Sequence, residues 1–216
     1  MSSGIRLGLA AAVMASMFSA PAPATTIFST LDGSGKYDGS SAWNVGPPPG
    51  NPSYITASGF VSSGNYSLEQ IDLGLSNIWN TNSANVSLWT DVSGAPGTML
   101  GSWSVSNQPS FGSTDSTLAT IAGISGIDLS AGAEYFLVVA PGASDTWDTW
   151  NQSTVSTGDL LYSTDGGATW GTNGPGQPLG AFDIIGSAAN GVPEPITISL
   201  FGAGLAGAAA MRRRKK

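Results

Sequence analysis

Cysteine and histidine are both absent from the 216 residues. Without cysteine there is no disulfide framework, no thiolate metal site and no thiol nucleophile. Without histidine the commonest general base and the commonest transition-metal ligand are missing. Ser-His-Asp and Cys-His catalysis are thereby excluded. Charge is also scarce, at 10% of residues, and cations are nearly missing from the middle of the chain. Arg6 lies near the N-terminus and Arg212, Arg213, Arg214, Lys215 and Lys216 close the sequence, so Lys36 is the single cation between residues 25 and 186. Thirteen acidic residues stand against it, a formal charge of −12 for that stretch. Such a surface repels nucleic acid and anionic lipid and favours solubility.

Seven tryptophans and a 41% hydrophobic content set the chain apart from disordered sequences that are equally rich in Gly, Ser, Thr and Asn. Residues 25–186 have the length of one domain and can bury a core without covalent staples. Apolar residues alternate in several short runs. Ile71, Leu73 and Leu75 share a face against Asp72 and Gly74, while Val86, Leu88 and Thr90 oppose Ser87 and Trp89. Trp103 and Val105 follow a turn at residues 93–97, where Pro96-Gly97 suits the central pair of a type II turn. Tyr135, Leu137 and Val139 face one way and Phe136 and Val138 the other, so this strand is predicted to be central. Phe182 and Ile184 close the domain, and shorter strands are expected at 54–61, 118–121, 145–151 and 159–163. About nine strands and no helical period predict an all-β fold, a β-sandwich of jelly-roll type. Residues 46–50 (Gly-Pro-Pro-Pro-Gly) read as a stiff loop.

The two ends read as targeting segments. Residues 1–24 have the form of a secretory signal peptide for the Sec machinery: Arg6, an apolar run from Leu7 to Phe18, and Ala22-Pro23-Ala24 as an A-x-A cleavage site. Cleavage after Ala24 would make Thr25 the new N-terminus. Residues 187–191 read as a flexible spacer. In 192–216, Val192 precedes Pro193-Glu194-Pro195, then an apolar span over 196–211, then the basic residues 212–216. Sixteen residues make a helix of roughly 24 Å, slightly short for a bilayer core. Five cations directly after it form a stop-transfer signal that stays cytoplasmic and leaves the domain outside. The string Gly202-Ala203-Gly204-Leu205-Ala206-Gly207 spells G-x-G-x-x-G, but no strand-turn-helix unit surrounds it, and small residues in a membrane helix account for it.

Pro-Glu-Pro, a Gly/Ala-rich span and a basic end in this order resemble the PEP-CTERM sorting signal. That resemblance implies a substrate of exosortase, a membrane cysteine transpeptidase of exopolysaccharide-producing Gram-negative bacteria. Recognition would fall on Pro193, Glu194 and Pro195, with transient anchoring in the inner membrane and then a place at the cell surface or outside it. The two prolines hold the backbone extended, and Glu194 offers one charge for recognition. The middle is similar to a second family. Tyr66-Ser67-Leu68 through Leu75, Val86-Ser87-Leu88-Trp89, Gly94-Ala95-Pro96-Gly97-Thr98, Leu129-Ser130-Ala131-Gly132 with residues 135–139, Tyr162-Ser163 and Asp165-Gly166-Gly167 resemble, in that order, the choice-of-anchor R domain. This implies a surface location and a β fold, and no defined activity.

Four constellations remain. Ser163, Asp165, Gly167, Thr169 and Trp170 fit the Asp-box pattern S-x-D-x-G-x-T-W, a structural hairpin device that also occurs in sialidases. Asp145, Trp147, Asp148 and Trp150 form the leading surface-site candidate. On a strand, Asp145 and Trp147 would share one face, Asp148 and Trp150 the other. A tryptophan beside acids and amides suits stacking a sugar ring and binding its hydroxyls, as in a lectin-like module. Asp32, Ser34 and Asp38 offer oxygen ligands of the kind calcium takes, but the D-x-[DN]-x-[DN]-G spacing fails at Ser34 and Lys36. No other cofactor is expected. Glycoside hydrolysis needs two carboxylates across a cleft. Glu69 and Glu134, the only glutamates of the middle stretch, stand in no recognisable motif. The leading expectation is a non-catalytic surface or matrix protein associated with exopolysaccharide and biofilm, with a carbohydrate-binding module and then a hydrolase as rivals.

Overall fold

The computed structural model describes residues 23–113 and 117–189, and these contain strands but no helix. In chain order the strands are β1 (Thr25–Ser29), β2 (Asp38–Val45), β3 (Ile55–Val61), β4 (Tyr66–Leu73), β5 (Leu75–Trp79), β6 (Ser83–Asp91), β7 (Pro96–Ser106) and β8 (Ala119–Ala122). They continue as β9 (Asp128–Leu129), β10 (Glu134–Pro141), β11 (Trp147–Gly158), β12 (Leu160–Ser163), β13 (Gly171–Thr172), β14 (Gln177–Gly180) and β15 (Phe182–Ala188). One sheet runs β13-β12-β3-β10-β6-β7. A second runs β1-β15-β4-β8 with β9 also on β4, and a third runs β14-β11-β2 with β5 also on β11.

The sequence of β10 explains its place. Apolar on both sides, it sits between β3 and β6 with both of its edges paired. Leu137 and Val139 enter the main core with Phe60, Val86 and Leu88 of the same sheet. Ile71, Phe182 and Ile184 join from the second sheet, Val45, Leu75 and Trp150 from the third. A core drawn from facing sheets fits a β-sandwich. Each such side chain contributes roughly 1.5–3 kcal/mol by leaving water. Phe136 and Val138 point the other way, into a second cluster with Ala57 and Leu161, against which Trp89 and Trp170 pack.

The second and third sheets meet where two strands turn a corner together. Gly74, between β4 and β5, donates its N–H to the carbonyl of Ala181, between β14 and β15, at 2.9 Å. Asn151 closes the corner: its N–H donates to the Gly74 carbonyl and its carbonyl accepts from Ala181 N–H, both at 2.8 Å.

Among the described residues there are fifteen strands, against the nine or so expected. Two-residue strands such as β9 and β13 are too short to show alternation, and the single run expected through Ile71, Leu73 and Leu75 breaks at Gly74. The turn expected at Pro96-Gly97 lies earlier. Its central pair is Ser93 (φ 59°) and Gly94 (φ 80°), both left-handed as a type I′ hairpin requires, and Pro96 already opens β7. The strand expected over 145–151 starts at Trp147 and runs on to Gly158, so Asp145 precedes it. Ser187 and Ala188, read as spacer, belong to β15. Thr25 lies opposite Gly186, so the chain enters and leaves the domain on neighbouring strands. Residues 1–22, the apolar span 196–211, the sorting tripeptide 193–195 and the basic residues 212–216 lie outside the described residues.

Candidate functional site

At the first residues of β11, Trp147 stands opposite Trp79 of β5. Trp79 is 66% exposed, the most exposed large apolar side chain among the described residues. Trp147 is half-buried, and its Nε1 donates to Oδ1 of exposed Asn44 on β2 at 3.2 Å. Asn80 (φ 61°) turns the chain after β5 and donates from Nδ2 to the Asp145 carbonyl at 3.2 Å. Opposite lies the proline loop, closed where Gly46 and Tyr54 exchange backbone hydrogen bonds of 2.8 and 3.0 Å. Pro47 and Pro49 from that loop, with Trp79, Asn80 and Trp147, line a surface pocket of about 390 Å³.

A second pocket, of about 270 Å³, is linked to it through the Trp147–Asn44 hydrogen bond. Asn44 lines this one, beside Trp43, Tyr54 and Thr56; Leu160, Tyr162 and Asn173 complete it. The Tyr54 and Tyr162 rings lie 6.2 Å apart at 59°. Trp43 is pinned by its Nε1 donating to the Pro178 carbonyl at 2.9 Å, and Thr56 Oγ1 donates to the Asn44 carbonyl at 2.8 Å. None of the lining side chains of either pocket carries a charge at neutral pH. The arrangement offers flat aromatic faces and amide groups that both donate and accept.

The quartet expected from the sequence is not gathered into one site. Only Trp147 lines the first pocket. Trp150 is completely buried, its Nε1 donating to the Ala181 carbonyl at 3.0 Å and its ring 5.7 Å from that of Phe182. It belongs to the core, and no ligand reaches it. Asp148 is likewise completely buried, between β2 and β5. Its Oδ1 accepts from Asn77 Nδ2 at 2.7 Å, while Oδ2 meets no protein partner. Burial pushes its pKa up to about 6, a rise that the Asn77 hydrogen bond partly offsets. Asp145 is exposed and contributes its backbone carbonyl. Trp79, missed from the sequence, was legible as an aromatic residue closing an apolar run before an Asn/Thr-rich turn.

The other constellations hold local structure. Asp165 Oδ1 accepts from Ser163 Oγ at 2.7 Å and from Thr169 N–H at 3.0 Å, and Oδ2 accepts from Thr169 Oγ1 at 2.5 Å. These bonds, the Thr169 hydroxyl foremost, lower its pKa to about 2. Gly167 N–H donates to Ser163 Oγ at 2.8 Å, and Trp170 packs on the outer cluster, so the five Asp-box residues build the turn between β12 and β13. Asp32 Oδ1 accepts from Lys36 N–H at 2.8 Å and from both Ser34 N–H and Ser34 Oγ. Asp38 Oδ1 accepts from Ser40 N–H and Oγ. Each carboxylate closes its own turn, which holds both pKa values below the ordinary range, and among the described residues no three acidic side chains converge on a metal position.

Glu69 and Glu134 lie on different sheets, on β4 and β10. Glu69 Oε1 accepts from Ser187 Oγ at 2.5 Å. Glu134 lines another pocket of about 390 Å³ with Asp159, Phe60 and Phe136. Burial, then the charges of Asp91 and Asp159, push its pKa up.

The chain's remaining feature is its C-terminal segment. Residues 191–215 match the family model for the PEP-CTERM protein-sorting motif. No curated protein matches the chain. A PEP-CTERM motif implies an exported protein that exosortase recognises and processes, with a membrane-anchored stage before release to the surface. The PEP-CTERM match covers the Pro193-Glu194-Pro195 tripeptide, the apolar span and four of the five terminal cations, and leaves the β domain without an assigned activity.

Proposed function

We propose that this chain is a non-catalytic cell-surface or extracellular-matrix protein, carried across the inner membrane by Sec, held there briefly by residues 196–216, and freed by exosortase to associate with exopolysaccharide in a biofilm. The observation that carries the reading is the PEP-CTERM match at 191–215 behind an acidic all-β domain. We read that domain as choice-of-anchor R-like and its winding as jelly-roll-like. The motifs named above support the first. Facing sheets that share one core support the second. The placement of Glu69 and Glu134 on different sheets and the turn-closing roles of Asp32, Asp38 and Asp165 support a non-catalytic role. Replacing Pro193, Glu194 and Pro195 together by alanine tests the proposal. The unprocessed protein should accumulate in the inner membrane. Release at the unaltered rate would contradict it.

A further inference from the structure

We infer that the two pockets linked by the Trp147–Asn44 hydrogen bond form a binding track for a neutral polysaccharide, with aromatic platforms at Trp79 and Trp147 in one pocket and at Tyr54, Tyr162 and Trp43 in the other. The inference rests on the non-catalytic, exopolysaccharide-contacting reading above and names the site and ligand class.

Four observations converge. First, exposing an indole costs stability, yet Trp79 is 66% exposed directly across the strand pair from Trp147. A lone exposed side chain would be ordinary, but two indoles lining one concave site make an aromatic surface that a ligand can cover. Second, the platforms are held in place. Trp147 is tied to Asn44 and Trp43 to the Pro178 carbonyl, and the proline-rich wall is closed at Gly46 and Tyr54. Rigid aromatic side chains supply contact area at small entropic cost. Third, the walls of the two pockets are tied together. Asn44 lines one and accepts the indole N–H of the other's Trp147, while the Gly46–Tyr54 bridge joins Tyr54 to the loop that bears Pro47. A repeating ligand with flat apolar faces and hydroxyl edges fits two aromatic pockets with amide and hydroxyl groups at their rims better than a single small molecule does. Fourth, charge decides the class. The track is uncharged and the domain around it is strongly acidic, with Lys36 as its single cation. An anionic glycan would meet repulsion and no counter-charge. A proline-rich peptide could also lie on aromatic faces, but the amides of Asn44, Asn80 and Asn173 in the pocket walls match sugar hydroxyls, which donate and accept in the same way.

The test uses the purified full chain in mild detergent, affinity electrophoresis against hydroxyethylcellulose, dextran, mannan and galactan with alginate as the anionic comparison, and a fluorescence titration with a polyproline peptide. Trp79→Ala and Tyr162→Ala probe one pocket each. Val155→Ala alters a side chain that is 60% exposed outside the track, and near-UV circular dichroism checks the fold of each variant. We expect at least one neutral polysaccharide to bind, with affinity insensitive to salt. Binding should weaken roughly tenfold in each of the two aromatic variants, as for a central contact residue, and stay unchanged in Val155→Ala. Any of four results overturns the inference: no neutral polysaccharide bound, an effect confined to one of the two pockets, preference for alginate, or capture of a polyproline peptide alone. Because this assay reads binding by purified protein, its failure alongside normal cellular processing would sink the track and leave the sorting reading standing.

Discussion

Asp148 gives the sharpest physical prediction. Its side chain is completely buried, one oxygen has a single amide donor and the other has no protein partner, so the charged form is poorly solvated. Its pKa accordingly rises from 3.8 to about 6. The folded state therefore binds this proton more tightly than the unfolded state does. Below pH 3.8 both states are protonated and the site costs nothing; stability is lost as pH rises through the window to about 6. At 1.36 kcal/mol per tenfold change in proton affinity the full loss is about 3 kcal/mol, of which roughly 2 or more falls between pH 4 and pH 7. Asp148→Asn removes the titration and keeps an oxygen for Asn77. The assay is urea unfolding of both proteins at several pH values, followed by tryptophan fluorescence. Other raised groups, Glu134 and Asp183 among them, act in both proteins and cancel in the difference. Relative to the parent, the variant should gain about 2 kcal/mol or more from pH 4 to pH 7. A difference that stays flat over this range would refute the reasoning.

Gly180→Ala should destabilise the protein by roughly 1–3 kcal/mol, because the added Cβ would fall 2.2 Å from Cε2 of Trp150, whose ring is fully enclosed; an unchanged urea midpoint would contradict this. Asp165→Ala should speed amide exchange at Thr169, whose N–H it accepts, and blue- or red-shift Trp170 emission while leaving the global midpoint nearly in place. The same turn should resist acid: its carboxylate pKa is lowered to about 2, so its stabilising contribution is present at neutral pH and fades as pH falls from about 4 toward 2. The Thr169 amide resonance reports this, and titration near pH 4 would count against it.

Much of the fold was legible wherever burial left a period in the sequence. Tyr135 to Val139, apolar on both faces, announced a central strand, and β10 is one. The hairpin between β6 and β7 was also visible, but its centre was not. Ser93-Gly94 and Pro96-Gly97 are both turn-forming pairs, and the positive φ of Ser93 is a property of the twisted strand pair rather than of serine. The site suffered most on β11. Residues 148–151 are buried on both faces, so alternation placed Asp148 and Trp150 together without saying that their face was enclosed. Enclosure there comes from β2, β5 and the corner at Ala181, all distant in sequence. Trp79 escaped for the converse reason: the alternation of Ile71, Leu73 and Leu75 does not reach it, and its juxtaposition with Trp147 exists only through the β5–β11 register.

Export followed by loss of the C-terminal segment underlies the proposed surface role. Mass spectrometry of both termini of the protein recovered from the cell surface and the medium, alongside fractionated membranes, tests that directly. We expect a chain beginning at Thr25 and lacking everything beyond Pro195. An intact tail through Lys216, found in the inner membrane as the stable cellular form, would contradict it.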